Sequence, residues 1–140
     1  MVLLVAFSCS NDDTTDFRAQ NDADIKTYLE QNSLTAEKTD TGLYYIINDL
    51  GTGASPSVNS SVTVAYKGYL LDGEVFDESE NTSFNLSRLI PGFSEGAQLL
   101  KEGGSGVFLI PAHLGYGSQG SSSIPGGAVI VFDIDLISIN

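Results

Sequence analysis

The sequence predicts a single α+β domain dominated by β-strands, and three observations support this prediction. The chain has 140 residues, 41% of them hydrophobic, which suits one domain with a substantial core and some residues left for a tail. Its 15 glycines, together with many serines and threonines, are typical of a fold with many turns. Several runs of β-branched and aromatic residues alternate with polar ones, whereas helical features are confined to two short segments.

The charge and the rare residue types exclude several classes of function. Eighteen acidic against six basic residues give a formal net charge of −12, so we expect no nucleic-acid partner, which would require clustered Lys and Arg. The single His and the single Cys exclude the usual zinc sites built from these residue types, and one Cys forms no internal disulfide. The sequence therefore predicts no metal site.

The first residues are typical of the end of an export signal. Residues 2–7 form an apolar run that is too short to span a bilayer, and Ser8 and Cys9 follow it. A small residue directly before Cys resembles the lipobox of bacterial lipoproteins, although Ala6 stands where that motif usually has Leu. We therefore expect residues 1–8 to end an export signal and Cys9 to be lipidated. The alternative is an ordinary thiol in a frayed terminus.

A polar segment and a short helix precede the strands. Residues 9–21 are mostly polar and acidic, which predicts a flexible tether between membrane and domain. Ile25, Tyr28 and Leu29 recur at helical spacing behind Asp22 and Asp24, so we expect a helix over residues 22–31 with its acidic residues at the favourable N-terminal end. We expect residues 22–41 to form this helix and a lead-in to the domain. The helix is expected to pack against the domain or act as a spacer rather than to bind a partner protein.

The first strands include a β-hairpin that delivers aromatic residues and a carboxylate to one place. Residues 43–47 predict the first strand. From Val62 to Leu70 apolar residues alternate with polar ones, and Asp72-Gly73 is a strong turn signal before the return strand. Tyr66 therefore points inward. Asp77 on the return strand needs a hydrogen-bond partner, for which the Tyr66 hydroxyl is the candidate.

The second half of the chain predicts a short helix between two clusters of apolar residues. Ser94 is the predicted N-cap of this helix, which Gly103-Gly104 would stop. Residues 107–110 predict a buried strand, and residues 128–139 the longest strand, with Ile130, Phe132, Ile134 and Leu136 on one face. The Gly- and Ser-rich segment between these strands has the length of a functional flap.

Four ordered motifs resemble the FKBP-type peptidyl-prolyl cis-trans isomerases, the macrolide-binding immunophilins. They are Tyr-x-Gly-x-Leu-x-Asp-Gly-x-x-Phe-Asp at 66–77, Leu-Ile-Pro-Gly-Phe at 89–93, Leu-Gly-Tyr-Gly at 114–117, and Ile-Pro followed by Val-Phe-Asp within 124–133. The resemblance covers residues 42–140, which we expect to form the isomerase domain. It implies a strongly bent antiparallel β-sheet wrapped around one short α-helix.

The resemblance also implies the residues of the site. The expected catalytic residues are Tyr66, Phe76, Asp77, Ile90, Tyr116 and Phe132, and the expected substrate-binding residues are Leu89, Phe93 and Ile124. In the family the aromatic at the position of Phe93 forms the pocket floor, while the backbone N–H at Ile90 and the Tyr116 hydroxyl bond substrate carbonyls. For each apolar member alone, plain core packing is the alternative.

The chain departs from the family pattern in two places. Phe93 stands where the pocket floor usually carries Trp, which should deepen the pocket and weaken its contacts with a prolyl ring. The segment between Asp77 and Phe84 is expected to be a short loop without Arg, and Thr82 stands where several members have an aromatic. His113 lies close to Tyr116 in sequence, but we expect it to be structural or solvated, because the reaction needs no general base.

The resemblance implies a peptidyl-prolyl cis-trans isomerase that assists the folding of exported proteins. Its partners would be proline-containing polypeptide segments and macrolide ligands, and it would need no cofactor. We expect a monomer in the cell envelope of a Gram-negative bacterium, on the periplasmic face or the cell surface, bound to the membrane through a lipid anchor only. The alternative is a weakly active or non-enzymatic lipoprotein chaperone that binds peptides on the same fold.

Overall fold

The computed structural model describes residues 16–140, which form one antiparallel sheet and two α-helices. The helices are α1 (Arg18–Gln31) and α2 (Pro91–Gln98). The strands are β1 (Glu37–Lys38), β2 (Tyr44–Asp49), β3 (Ser61–Leu70), β4 (Val75–Asn85), β5 (Ser105–Ile110) and β6 (Ile130–Ile139), in the spatial order β1-β2-β5-β6-β3-β4. The predicted α+β class and the antiparallel sheet are confirmed.

The two helices cover opposite faces of the sheet, as the alternation along β6 shows. Phe132 and Ile134 pack in the cluster that contains Phe93 of α2, whereas Val131 packs in a second cluster with Ile25 of α1. Adjacent strand residues point to opposite faces, so the two clusters lie on either side of the sheet. The predicted inward face of β6 is buried, and α1 is the packing element that the sequence predicts. What the sequence pattern does not reveal is that the other face is buried at Val131, although it is exposed at Asp135 and Ile137.

Helix α1 begins at Arg18, four residues before the predicted start, so residues 18–21 of the predicted tether are helical. Asp22 and Asp24 consequently lie beyond the first turn, which contains no acidic residue. Asp22 instead accepts a hydrogen bond from the Tyr44 hydroxyl at 2.6 Å. The prediction was wrong here because long-range contacts, and not a capping side chain, determine where this helix starts.

The segment between Asp77 and Phe84 is strand and not the predicted loop. Strand β4 runs through it for 11 residues and is longer than β6, so the prediction that residues 128–139 form the longest strand was also wrong. Ser83 pairs with Thr63 and Thr82 with Val64. As β4 is an edge strand of the sheet with much of its surface exposed, it needs no alternating apolar pattern, and its polar sequence resembles a loop.

Helix α2 begins at Pro91, so Ser94 is not its N-cap. Proline suits the first helical position because its fixed φ is helical and its missing N–H would have no partner there. Ser94 lies inside the helix, buried, and its N–H donates to the carbonyl of Ile90. The chain before α2 therefore turns at Ile90, which puts both Ile90 and Phe93 beside the inner face of the sheet.

Candidate active site

Three aromatic rings from three elements form the centre of the candidate site. Phe93 of α2 packs edge-on against Phe132 of β6 with ring centroids 5.1 Å apart, and against Tyr66 of β3 at 5.9 Å. Tyr66 and Phe132 are also 5.9 Å apart. Such edge contacts are favourable because the positive edge of one ring meets the negative face of another. The structure thus brings together three of the predicted site residues that lie far apart in sequence.

A β-bulge brings Phe76 and Asp77 to the site together. Asp77 pairs with Gly68 and Val75 pairs with Tyr69, so Phe76 is an extra residue between these two pairs. Consecutive residues of a regular strand point to opposite faces, and a bulge allows one of them to be redirected. The ring of Phe76 packs edge-on against Phe132 at 5.6 Å.

Gly68 provides the space that these two rings occupy. A Cβ atom at this position would lie 2.6 Å from Cε1 of Phe132 and 2.8 Å from Cζ of Phe76. Both distances are far below the contact distance between carbon atoms, about 3.5–4.0 Å, so any larger residue would displace a ring. Gly68 was not among the predicted site residues, although the Tyr-x-Gly motif contains it.

The Tyr66 hydroxyl donates a hydrogen bond to Oδ2 of Asp77 at 2.9 Å, which is the pairing that the sequence predicts. Burial, with a smaller contribution from the hydrogen bond to Asp77, raises the pKa of Tyr66 to about 12. The phenol is therefore protonated, and a donor, throughout the physiological pH range. Asp77 itself is exposed. Its carboxylate lies at the rim of the aromatic cluster and not among the rings.

Tyr116 brings a second hydroxyl near the same carboxylate. Burial, and then the negative charge of Asp77, raise the pKa of Tyr116 above its ordinary value. The Tyr116 side chain is half-buried against the core cluster that contains Phe93 and Phe132. It is therefore a protonated hydroxyl at neutral pH, and it is available to donate a hydrogen bond to an acceptor such as a peptide carbonyl.

The remaining predicted site residues pack against the same cluster. Ile124 is buried, and Leu89 and Ile90 are half-buried. The carbonyl of Ile90 accepts hydrogen bonds from the N–H groups of Phe93 and Ser94. Within residues 16–140, the N–H of Ile90 has no hydrogen-bond partner. Among the described residues nothing accepts from this N–H, which lies on the segment that leads into α2.

Phe84 belongs to the site although it was not predicted as a site residue. Its ring lies 5.8 Å from that of Tyr66 and 6.1 Å from that of Phe93. Phe84 pairs with Val62, because β4 continues past Asp77. From the sequence, the segment before Phe84 is expected to be a loop, and therefore Phe84 is not placed beside the site. Thr82, which stands where an aromatic is expected, hydrogen-bonds with Ser79.

His113 has a structural role in this arrangement. Its side chain is exposed, and Nε2 forms a hydrogen bond with the carbonyl of Thr41 at 2.7 Å. This contact ties the turn at Ala112–Leu114 to the segment that leads into β2. The geometry agrees with the prediction that His113 is structural.

Residues 16–140 contain neither a candidate metal-binding cluster nor a candidate membrane-spanning helix. In that range, no group of three or more His, Cys, Asp or Glu side chains could hold a metal ion. Nor does that range contain a helix long and apolar enough to cross a membrane. Cys9 and the predicted export signal lie outside the described residues.

The matched stretch of sequence decides the family. The sequence model of the family described as FKBP-type peptidyl-prolyl cis-trans isomerase matches residues 53–137, which include every predicted site residue except Cys9. The chain belongs to this FKBP family. Helix α1 and β2 lie before the matched residues of the FKBP domain.

Individual FKBP relatives agree with this assignment. The chain is 40% identical over 126 residues to FkpA of Aeromonas hydrophila, covering 86% of this chain and 47% of that protein. It is 38% identical over 127 residues to FkpA of Escherichia coli K12, covering 86% of this chain and 47% of that protein. Both carry the name FKBP-type peptidyl-prolyl cis-trans isomerase. The chain thus spans about half the length of the curated FKBP relatives that it matches.

Solved FKBP structures have the same fold. The crystal structure of FkpA from Escherichia coli superimposes with a TM-score of 0.79 at 37% identity, covering 88% of this chain and 61% of that one. A peptidyl-prolyl cis-trans isomerase from Pseudomonas syringae superimposes with a TM-score of 0.76 at 27% identity, covering 87% of this chain and 95% of that one. The matched region thus covers most of the Pseudomonas syringae chain and less than two thirds of the Escherichia coli chain.

Proposed function

We propose that this chain is a peptidyl-prolyl cis-trans isomerase that accelerates rotation about X–Pro bonds in exported polypeptides. The observation that carries the proposal is the cluster of edge-packed rings around Phe93, with the Tyr66 and Tyr116 hydroxyls and the Ile90 amide beside it. An apolar cleft with a few placed donors is suited to binding a small ring whose flanking carbonyls remain polar. Prolyl residues in peptides have this combination of features.

The chemistry that the pocket must supply is modest. Rotation about a peptide bond faces a barrier of about 18–20 kcal/mol because resonance keeps the amide planar. The planar amide is more dipolar than the twisted one, and water stabilises it more. Moving the X–Pro bond from water into an aromatic pocket therefore favours the twisted amide, and neither a nucleophile nor a general base is needed. A reduction of about 5–7 kcal/mol in the barrier would accelerate the reaction roughly 10⁴- to 10⁵-fold.

Each site residue has a role in this proposal. Phe93 forms the floor beneath the prolyl ring, and the walls are Phe76, Phe132, Leu89 and Ile124. The Ile90 N–H and the Tyr116 hydroxyl bond the carbonyls on either side of the rotating bond. The carboxylate of Asp77 orients the Tyr66 hydroxyl through the bond that joins them. Because these donors hold the carbonyls while the apolar surface excludes water, the peptide is bound closer to its twisted geometry.

The deciding experiment compares cis-trans isomerisation of a short X–Pro peptide with and without the full chain. We expect acceleration that scales with protein concentration and is unchanged by a chelator. The control is Phe132→Ala, which removes one wall of the pocket and should reduce the acceleration. If the full chain binds the peptide but leaves its isomerisation at the uncatalysed rate, the protein is a peptide-binding chaperone module and the enzymatic proposal fails.

We further propose that the same pocket binds macrolides that carry a pipecolyl ring, a close mimic of proline. Competition between such a macrolide and the peptide would support a shared site. We also propose that the protein is a monomer. Light scattering across a range of concentrations should give a constant mass, and a mass that doubles on concentration would overturn this.

We propose that the protein is attached to the cell envelope of a Gram-negative bacterium, on the periplasmic face or the cell surface, through a lipid on Cys9. The support for this is the apolar run before Ser8-Cys9 and the polar segment after it. Two or more acyl chains can hold a protein stably on a membrane, whereas a single chain binds only marginally. In this arrangement the tether ends before Arg18, where α1 starts.

A further inference from the structure

Asn21 of α1 joins the two ends of the loop that carries the site residues Tyr116 and Ile124. This loop, residues 111–129, runs from the end of β5 to the start of β6. Nδ2 of Asn21 donates to the carbonyl of Gly127 at 3.0 Å, and the N–H of Ala112 donates to Oδ1 of Asn21 at 2.8 Å. Only 1% of Asn21 is exposed. One buried amide thus bonds two backbone groups that lie at opposite ends of the loop.

The loop carries two site residues between these anchor points. Tyr116 and Ile124 both lie between Ala112 and Gly127. Inside the loop, the N–H of Gly117 donates to the carbonyl of Ala112 at 2.9 Å, and the N–H of Gly127 donates to the carbonyl of Gly117 at 2.9 Å. Asn21 therefore completes a closed ring of hydrogen bonds. The residue next to Tyr116 is part of that ring.

Phe17 reinforces the same end of the loop. A Cβ atom on Gly127 would lie 2.4 Å from Cε1 of Phe17, so the Phe17 ring rests directly on the Gly127 backbone. Gly127 has a φ of +76°, a conformation that favours glycine. The carbonyl of Phe17 in turn accepts a hydrogen bond from the Asn21 N–H at 2.7 Å. Two contacts of different kinds, one polar and one aromatic, thus hold Gly127 against the start of α1.

Attachment of the helix does not require an amide at this position. Ile25 and Leu29 of α1 are buried in the apolar cluster on that face of the sheet, and Asp22 bonds Tyr44. Burying an amide is costly unless its hydrogen bonds are made, and here both side-chain bonds of Asn21 go to backbone groups of the loop and none to the sheet. What the amide adds is a defined separation between Ala112 and Gly127.

We propose that Asn21 is a positioning residue for prolyl isomerisation, which fixes the loop ends and thereby holds Tyr116 and Ile124 over the pocket floor. This inference rests on the proposed function. It assigns a role in the site to a helix that lies outside the matched FKBP domain.

The test compares kcat/KM for an X–Pro peptide in Asn21→Ala, Asn21→Asp and Tyr44→Phe, at a temperature where all three variants are fully folded. Tyr44→Phe removes a hydrogen bond between the same helix and β2 but none to the loop. We expect Asn21→Ala to lower kcat/KM about tenfold and Tyr44→Phe to leave it within twofold. Asn21→Asp keeps the acceptor for Ala112 but places a carboxyl oxygen against the Gly127 carbonyl where the donor was, so its kcat/KM should also fall.

Two further measurements separate positioning from plain stability. The Ala112 amide should exchange its hydrogen faster in Asn21→Ala but not in Tyr44→Phe. In a Tyr116→Phe background, Asn21→Ala should have a smaller effect on kcat/KM than in the wild type, because part of its effect acts through the Tyr116 hydroxyl. If Asn21→Ala retains kcat/KM within twofold, or its effect is undiminished in that background, Asn21 is only structural and the proposal is wrong.

Failure of the proposed function would be visible separately, as an absence of catalysis by the unaltered chain. In that case the peptide affinities of the same variants are compared instead. Weaker binding by Asn21→Ala with unchanged binding by Tyr44→Phe supports positioning. Equal affinities overturn it. Should Asn21→Ala not fold, the comparison of Asn21→Asp with Tyr44→Phe decides in the same way.

Discussion

In the proposed site, Phe93 is the residue whose size should most directly limit contact with a prolyl ring. It is buried and touches the rings of Tyr66, Phe84 and Phe132 at centroid distances between 5.1 and 6.1 Å. The ring of Phe93 is therefore well packed from the sides, so a change in its size acts on the three neighbouring rings as well as on a ligand in the proposed pocket.

We predict that Phe93→Trp binds an X–Pro peptide or a pipecolyl macrolide several-fold more tightly, a gain of about 1 kcal/mol from added apolar contact. Overpacking against the three neighbouring rings should cost about 1–3 kcal/mol of stability. The chain has no Trp, so the fluorescence of the new indole reports ligand directly. A matched control is Tyr28→Trp on α1, on the opposite face of the sheet, whose emission should not respond. A folded Phe93→Trp variant that is insensitive to saturating ligand would show that Phe93 is not the floor.

The bond between Tyr66 and Asp77 makes a small contribution to stability. Because Asp77 is exposed, water can replace the phenol when the bond is lost. We predict that Tyr66→Phe lowers the free energy of unfolding by about 0.5–1.5 kcal/mol, the usual value for one hydrogen bond, and not by the larger cost of a buried unpaired carboxylate. Urea denaturation at neutral pH measures this. Asp77→Asn, which retains an acceptor oxygen, should lose less; a Tyr66→Phe variant as stable as the wild type would show that the bond is not formed in solution.

The raised pKa of Tyr66 also predicts a loss of stability at alkaline pH. In the unfolded chain this phenol ionises near pH 10, whereas in the folded protein its pKa is about 12. Its contribution to stability is therefore complete below about pH 10 and is lost as the pH rises towards 12. Urea midpoints between pH 8 and pH 11 should fall less steeply in Tyr66→Phe than in the wild type. Equal slopes would contradict the assignment.

Helix α1 is attached to the sheet through a charged group at its start. Hydrogen bonds from Tyr44 and then Lys26 and Lys38 hold the pKa of Asp22 well below its usual range. Both lysine Nζ atoms lie 3.0 Å from the carboxylate. The polar part of the attachment of α1 therefore depends on an ionised Asp22.

We predict that Asp22→Asn destabilises the protein at neutral pH and that the difference from the wild type shrinks in acid. A carboxyl whose pKa is lowered on folding contributes stability above its unfolded pKa, about 3.9, and loses that contribution as the pH falls further. Thermal unfolding at pH 7 and pH 3 measures the two differences. Asp24→Asn is the matched control, because Asp24 bonds only to the exposed Gln20 of the same helix. A constant difference at both pH values would contradict the prediction.

The proposed anchor determines where the whole protein resides. We predict that the full-length chain, expressed in a bacterium that processes lipoproteins, fractionates with membranes, and that Cys9→Ser is soluble or remains unprocessed. A chain with a net charge of −12 has no electrostatic attraction to anionic lipid, so the lipid must supply the binding. Ser10→Ala, which leaves Cys9 intact, is the control. If Cys9→Ser stays with membranes after a salt wash, the assignment of Cys9 as the anchor is wrong.

Sequence alone determined the features that follow from local alternation and spacing. The inward face of β6, the hairpin of β3 and β4, and the pairing of Tyr66 with Asp77 were all predictable from it. Alternation of apolar and polar residues along a strand is a local signal, so it predicts the buried face without information from distant parts of the chain. The four ordered motifs also indicated the family and the residues of its expected pocket, which periodicity alone does not indicate.

The tertiary structure alone decided which segments continue and what holds them. Strand β4 continues past Asp77 because β3 pairs with it, and α1 begins at Arg18 where Phe17 and Asn21 meet Gly127. The partner of Asn21 lies 106 positions away in the chain. A polar sequence looks the same whether its groups bond to water or to a distant backbone, and only the fold decides which of these partners is present.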